Sequence, residues 1–159
     1  IYTGEDTLSL HDALPISGLA SGTFYNYYRS KEELLFAISF EGHTEALKVV
    51  EGADRPGEEP SVRLQELIST FASWQAGHHS LARVVQYELT ALTPEHYRTV
   101  VALRRSTTRV VREVVDAGVQ SGDFTIPDAE GVTLALMSLC VDVCRWFLDH
   151  HAEARGVSA

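Results

Sequence analysis

Proline occurs at only five positions, Pro15, Pro56, Pro60, Pro94 and Pro127. Because proline breaks a helix interior but suits its first turn, the long proline-free stretches between them decide what the chain can fold into. In those stretches apolar residues recur with helical period, and nowhere is the alternation of a strand sustained. Ser30-Lys31-Glu32-Glu33 has the form of a capping box. The apolar face Leu35, Ile38, Ala46, Val49, Val50 that follows predicts a helix of about five turns. Gly52 to Pro60, dense in Gly, Pro and acid, reads as a loop. From Ser61 the face Leu64, Leu67, Ile68, Phe71, Trp74 predicts a second helix ending near Gly77, and Leu81, Val84, Val85, Leu89, Leu92 predict a third. Thr93-Pro94-Glu95 supplies an N-cap, a first-turn proline and an acid at the positive end of the dipole. The helix it starts carries Tyr97, Val100, Val101, Val111, Val114, Val115 and Val119 at helical spacing and stops at Gly122-Asp123. A last helix begins at Pro127-Asp128, and its stretch 132–148 is apolar on nearly every side. Such a helix needs two surfaces to bury it, the domain's own core and a partner subunit. The fold class is all-α.

The length of 159 residues suits one domain, and 45% hydrophobic with 22% charged residues fits a globular chain. No run of 18 apolar residues exists to span a membrane, and the opening IYTGEDTLSL has neither the basic nor the long apolar region of a secretory signal. Two cysteines without an export signal point to thiols in a reducing cytosol. A formal net charge of −9, taken alone, argues against a nucleic-acid partner.

One stretch argues the other way. Residues 18–35 read Gly-Leu-Ala-Ser-Gly-Thr-Phe-Tyr-Asn-Tyr-Tyr-Arg-Ser-Lys-Glu-Glu-Leu-Leu. A short helix from Ala20 to about Tyr28 puts Ser21, Thr23, Tyr25, Asn26 and Tyr27 near its exposed and N-terminal sides. Hydroxyls and amides of this kind contact phosphates and base edges. The small residues Ala20, Ser21 and Gly22 let the helix start approach a sugar–phosphate backbone, while Phe24 and Tyr28 face inward. The stretch closely resembles the second half of the helix-turn-helix of TetR-type transcriptional repressors, continuously from Gly18 to Leu35. The resemblance implies DNA contacts from Ser21, Gly22, Thr23, Tyr25, Asn26 and Tyr27, a phosphate contact from Lys31, and core roles for Phe24 and Tyr28. From Ser17 to Phe36 the charges balance, Arg29 and Lys31 against Glu32 and Glu33, so the chain's net acidity says little about this element.

The remainder resembles the family's C-terminal regulatory domain, in members that respond to acyl-CoA or other hydrophobic ligands. That resemblance implies a two-fold four-helix dimer interface from the last helices, here at Leu136, Leu139, Val143 and Phe147. The family's two helices ahead of the recognition helix have no counterpart in residues 1–16, which hold Glu5, Asp6 and Asp12, no Lys or Arg, and Pro15 where a helix is expected. The segment 6–16 reads as translated sequencing-adapter sequence. The expected organisation is therefore a non-native leader at 1–16, a partial helix-turn-helix at 17–36, and a regulatory ligand-binding and dimerisation domain at 37–159.

Phe71, Trp74, Tyr87, Tyr97, Leu103 and Trp146 are large enough to line an effector pocket, although aromatics at helical spacing also serve as plain core. Arg98, Arg105, Arg109 and Arg112 lie along one helix side, read as a solvated face ahead of an anion site. Cys140 and Cys144 read as buried small hydrophobes. His78-His79 and His150-His151 lack metal-site spacing, and no nucleophilic triad, phosphate loop or carboxylate pair appears. The reading is a cytoplasmic, homodimeric, ligand-responsive repressor that binds a palindromic operator through successive major grooves, without catalysis, metal or cofactor. The alternative is a helical ligand-binding and dimerisation protein that does not bind DNA because its N-terminal module is incomplete.

Overall fold

Helix-capping side chains set most of the element boundaries in the computed structural model, which describes residues 28–79, 82, 85 and 89–154, with side chains as far as 143. Helix α1, Lys31–Ala53, starts where Ser30 Oγ accepts the Glu33 backbone N–H at 3.1 Å. The reciprocal half of the capping box is displaced by one residue, because Glu33 Oε2 accepts the N–H of Arg29 at 2.7 Å. α1 runs on through Gly52 to Ala53, two residues into the loop expected there, and Ala53 is itself buried in the main core. Asp54 then leaves in extended conformation, and both its carboxylate oxygens meet Arg63 at 2.9 Å, a bidentate clamp across the loop.

Helix α2, Pro60–Gly77, has its proline in the first turn, where no N–H is needed. The third expected helix falls largely outside the described residues. Ala82 and Val85 are helical, and the segment closes in a 3₁₀ turn at Leu89–Ala91. The tighter turn brings Leu89 and Leu92 onto one side, where both are buried with Leu35 and Val100. Helix α3, Pro94–Ser121, begins at a Thr93 cap and ends at Gly122, whose φ of +85° is the left-handed conformation that favours glycine. The chain then folds back so closely that Phe124 packs on Gly118, where a Cβ would collide with the ring. Helix α4, Ala129–Ala154, is capped by Asp128, whose Oδ1 accepts the Gly131 N–H at 2.9 Å.

Helices α2 and α3 form the centre of the bundle, and each packs on the other and on both α1 and α4. The main core joins Ala46 and Val50 of α1, Leu67 and Phe71 of α2, Val111 and Val114 of α3, and Cys140 of α4. Each fully buried valine or leucine contributes about 1.5–3 kcal/mol, which outweighs the weak helix propensity of the β-branched run in α3. Tyr28 packs against Leu34 at the start of α1, an inward position as expected; Phe24 lies outside the described residues. The outer face of α3 carries the exposed pairs Arg109–Glu113 and Arg112–Asp116 one turn apart, the solvated arrangement expected for those arginines. All described elements are helical, and among the described residues no helix is long and apolar enough to cross a membrane.

Candidate functional site

A cavity of about 410 Å³ opens between the four helices, a volume in the range of small-molecule sites. Helix α1 contributes Gly42, His43 and Ala46, and the small residues there leave space that larger ones would fill. α2 contributes Phe71, Trp74 and Gln75, and α4 contributes Leu134, Met137 and Val141. Phe71 and Trp74 stack with centroids 6.3 Å apart, and the His78 ring continues the stack at 4.7 Å from Trp74. His78 is held in place by its Nδ1, 2.8 Å from the Trp74 carbonyl. Thr107 and Thr108 of α3 also line the space, but their hydroxyls donate to the carbonyls of Leu103 and Arg104 one turn back. The wall is thus largely apolar, and its threonine hydroxyls are already bonded.

Gln75, His78, Ser138 and Asp142 add polar groups to the lining, and a further two face each other across it. Arg104 enters the wall from α3, and His43 faces it from α1. Burial first, then the positive charge of Arg104, push His43 down to about 4, so the ring is neutral at pH 7. Its Nε2 is buried without a hydrogen-bond partner, as is Ser39 Oγ one turn earlier on the same helix. A second polar junction lies outside the cavity. Glu32 Oε1 accepts the Thr93 N–H at 2.9 Å and stands 2.7 Å from His96 Nδ1, while the His96 ring stacks on Phe36 at 3.7 Å. This latch ties the start of α1 to the start of α3.

Of the six expected pocket residues, Phe71 and Trp74 line the cavity. Tyr97 is exposed on α3 and Leu103 is half-buried, and neither is among the lining residues. Tyr87 and the Trp146 side chain fall outside the described residues, as do Phe147 and the recognition-helix residues Ser21, Gly22, Thr23, Tyr25, Asn26 and Tyr27. Lys31 sits exposed in the first turn of α1. On α4, Leu139 is 65% exposed and Leu136 and Val143 are half-buried. Cys140 is buried with its Sγ 3.9 Å from the Ile68 carbonyl, and burial holds its thiol above the ordinary value. No cluster of His, Cys, Asp or Glu suited to a metal occurs among the described residues. His43, Arg104 and the Glu32–His96 latch were missed in the sequence. Arg104 precedes Arg105 of the solvated stripe, and only the roughly 100° turn per residue of a helix separates their destinations.

A helical bundle around an apolar cavity with a few polar groups has the geometry of a ligand-binding domain. Comparison with known proteins makes the class specific. The family model described as the C-terminal domain of tetracyclin repressor-like proteins matches residues 57–150. A TetR-family regulatory protein from Rhodococcus RHA1 superposes with a TM-score of 0.78 at 39% identity, covering 86% of this chain and 72% of that one. The regulator PfmR from Thermus thermophilus shares the fold at a TM-score of 0.76 and 23% identity, over 89% of this chain and 78% of that one. FadR from Bacillus subtilis, in complex with stearoyl-CoA, shares it at 0.65 and 23%, over 87% and 75%. The fatty acid metabolism regulator protein of Bacillus subtilis is 27% identical over 108 residues, which are 68% of this chain and 56% of that protein's length. The chain belongs to the TetR family of transcriptional regulators, and it is not an enzyme.

Proposed function

We propose that this chain is a ligand-responsive repressor whose effector occupies the four-helix cavity, with residues 17–36 acting in DNA binding and 37–159 in regulation and dimerisation. The observation that carries the reading is the apolar cavity itself, enclosed by the family's regulatory domain. An effector with a long apolar part, acyl-CoA or a similar molecule, suits walls built from Phe71, Trp74, Met137 and Val141. The stearoyl-CoA held by the FadR structure supports that class. The repressor acts in the cytoplasm as a homodimer on a palindromic operator, and effector binding shifts a two-state equilibrium in the spacing of the recognition helices.

Leu139, 65% exposed on α4, supports a dimer surface there with Leu136, Val143 and Phe147. Leu139→Glu should convert dimers to monomers in sedimentation, and a persistent dimer would refute that surface. Lys31, with the recognition residues ahead of it, is assigned to a phosphate. Lys31→Ala should lower the salt dependence of DNA affinity by about one unit of slope. The direct test offers stearoyl-CoA to the purified chain and follows the fluorescence of its two tryptophans, Trp74 and Trp146, and operator release in a gel shift. Saturable binding with release supports the repressor. Binding with no DNA shift at any protein concentration favours the ligand-binding alternative, and no binding of stearoyl-CoA removes acyl-CoA as the effector class.

A further inference from the structure

Ser39 and His43 are unusual in this bundle because each has a buried polar atom with no partner. Buried polar groups are normally hydrogen-bonded, since an unmet one costs the desolvation it suffered. Both lie on one face of α1, and His43 borders the cavity where Arg104 crosses from α3. Arg55, Arg63, Arg109 and Arg112 each meet an acid within 4 Å, whereas Arg104, like Arg29, Arg98 and Arg105, meets none among the described residues, and of these four it is Arg104 that lines the cavity. The other titratable groups in the described wall are His78 at the end of α2 and Asp142 on α4. Neither contributes to the field at His43, which is set by burial and Arg104. A cation without an acid therefore faces a neutral, under-bonded imidazole at the edge of an apolar space. An anion supplies what both lack: a charge for Arg104 and an acceptor for the imidazole N–H.

We propose that the cavity binds an amphipathic monocarboxylate, its carboxylate held between Arg104 and His43 and its apolar chain lying along Phe71, Trp74 and Met137. The proposal rests on the reading of the cavity as the effector site and narrows the ligand class there from acyl-CoA or a similar apolar molecule to the free carboxylate. A thioester or an alcohol of the same chain length fills the apolar part but brings no charge to Arg104. Discrimination by head group is therefore the signature.

Calorimetric titration of the full chain with sodium decanoate and with 1-decanol tests it. Wild type should bind decanoate about ten- to a hundredfold more tightly, the span of a hydrogen bond to a charged group. Arg104→Met should bring the ratio close to one, chiefly through a loss of decanoate affinity. Equal affinities in wild type overturn the head-group assignment and leave the cavity reading intact. Binding of neither ligand overturns the cavity reading and the proposal with it. A preference that survives in a folded Arg104→Met chain overturns the role of Arg104. Wild type alone supplies a second measurement, should that variant not fold. The carboxyl ¹³C resonance of bound labelled decanoate should titrate at lower pH than in free solution, because a cation favours the ionised form. A midpoint raised above the free value, the result of apolar burial without a cation, overturns the proposal.

Discussion

Helices α1 and α3 meet at two polar places, and the two are built in opposite ways. At their N-terminal ends, Glu32 takes the Thr93 N–H and the His96 ring nitrogen, and Phe36 covers the imidazole. About three turns further along α1, His43 meets Arg104 and, among the described residues, no acid, and it has a ring nitrogen with no partner. The first histidine is closed by its surroundings and holds two helices together. The second is left open beside a cavity, an arrangement that costs stability and that a ligand can complete. A residue type alone does not distinguish structural from functional roles; the completeness of its hydrogen bonding does.

The largest expected effect belongs to the open site. His43 has an ordinary value of 6.5 when unfolded and about 4 when folded. Between those values the unfolded chain binds more protons, so stability falls as pH drops from about 6.5 to about 4 and the loss levels off below. The shift corresponds to roughly 3 kcal/mol. Urea denaturation across that range should show the decline in wild type and a flatter profile in His43→Gln; parallel profiles would break the contrast between the two sites.

The closed site should respond to a different substitution and in a different pH range. Glu32→Ala, which strips the latch of its acceptor, should cost about 1–2 kcal/mol at pH 7. The Thr93 backbone N–H first, and His96 after it, hold the Glu32 carboxyl below its ordinary 4.5 against the opposing effect of burial. Its folded value is depressed, so its contribution is present above 4.5 and is lost only as pH falls through the lower folded value. A double-mutant cycle with His96→Ala should return a favourable coupling, and additivity would show that the Glu32–His96 contact contributes nothing.

The smallest effect comes from two serines on α1 that make the same contrast. Ser30→Ala removes a cap that accepts the Glu33 N–H and should cost about 1 kcal/mol. Ser39→Ala removes a buried hydroxyl with no partner and should change stability by less than about 0.5 kcal/mol or improve it. Equal losses at both positions would mean that Ser39 is bonded after all.

The local signals in the sequence were the reliable ones. Ser30 caps α1, Thr93-Pro94 opens α3, Gly122 ends it, and Cys140 is buried as a small hydrophobe. Each of these depends on neighbours within a turn. The expected pocket was half legible: Phe71 and Trp74 line it, while Tyr97 is turned outward and Leu103 lies off its walls. Size and spacing identify residues able to line a cavity, but the direction of a side chain depends on which neighbouring helix it meets. The Glu32–His96 contact joins residues 64 apart, and no local pattern encodes it.

The sequence by itself determined an all-α chain, its helix starts and stops, and the excess of apolar surface on α4, because capping, proline geometry and helical period act over a few residues. Only the tertiary structure decided that Arg104 enters a cavity wall while Arg105 next to it stays exposed, and that Glu32 satisfies one histidine while another is left unmet. Those outcomes depend on how helices distant in the chain cross and on which charges burial leaves face to face. The strength of a charge or a hydrogen bond is set by that environment.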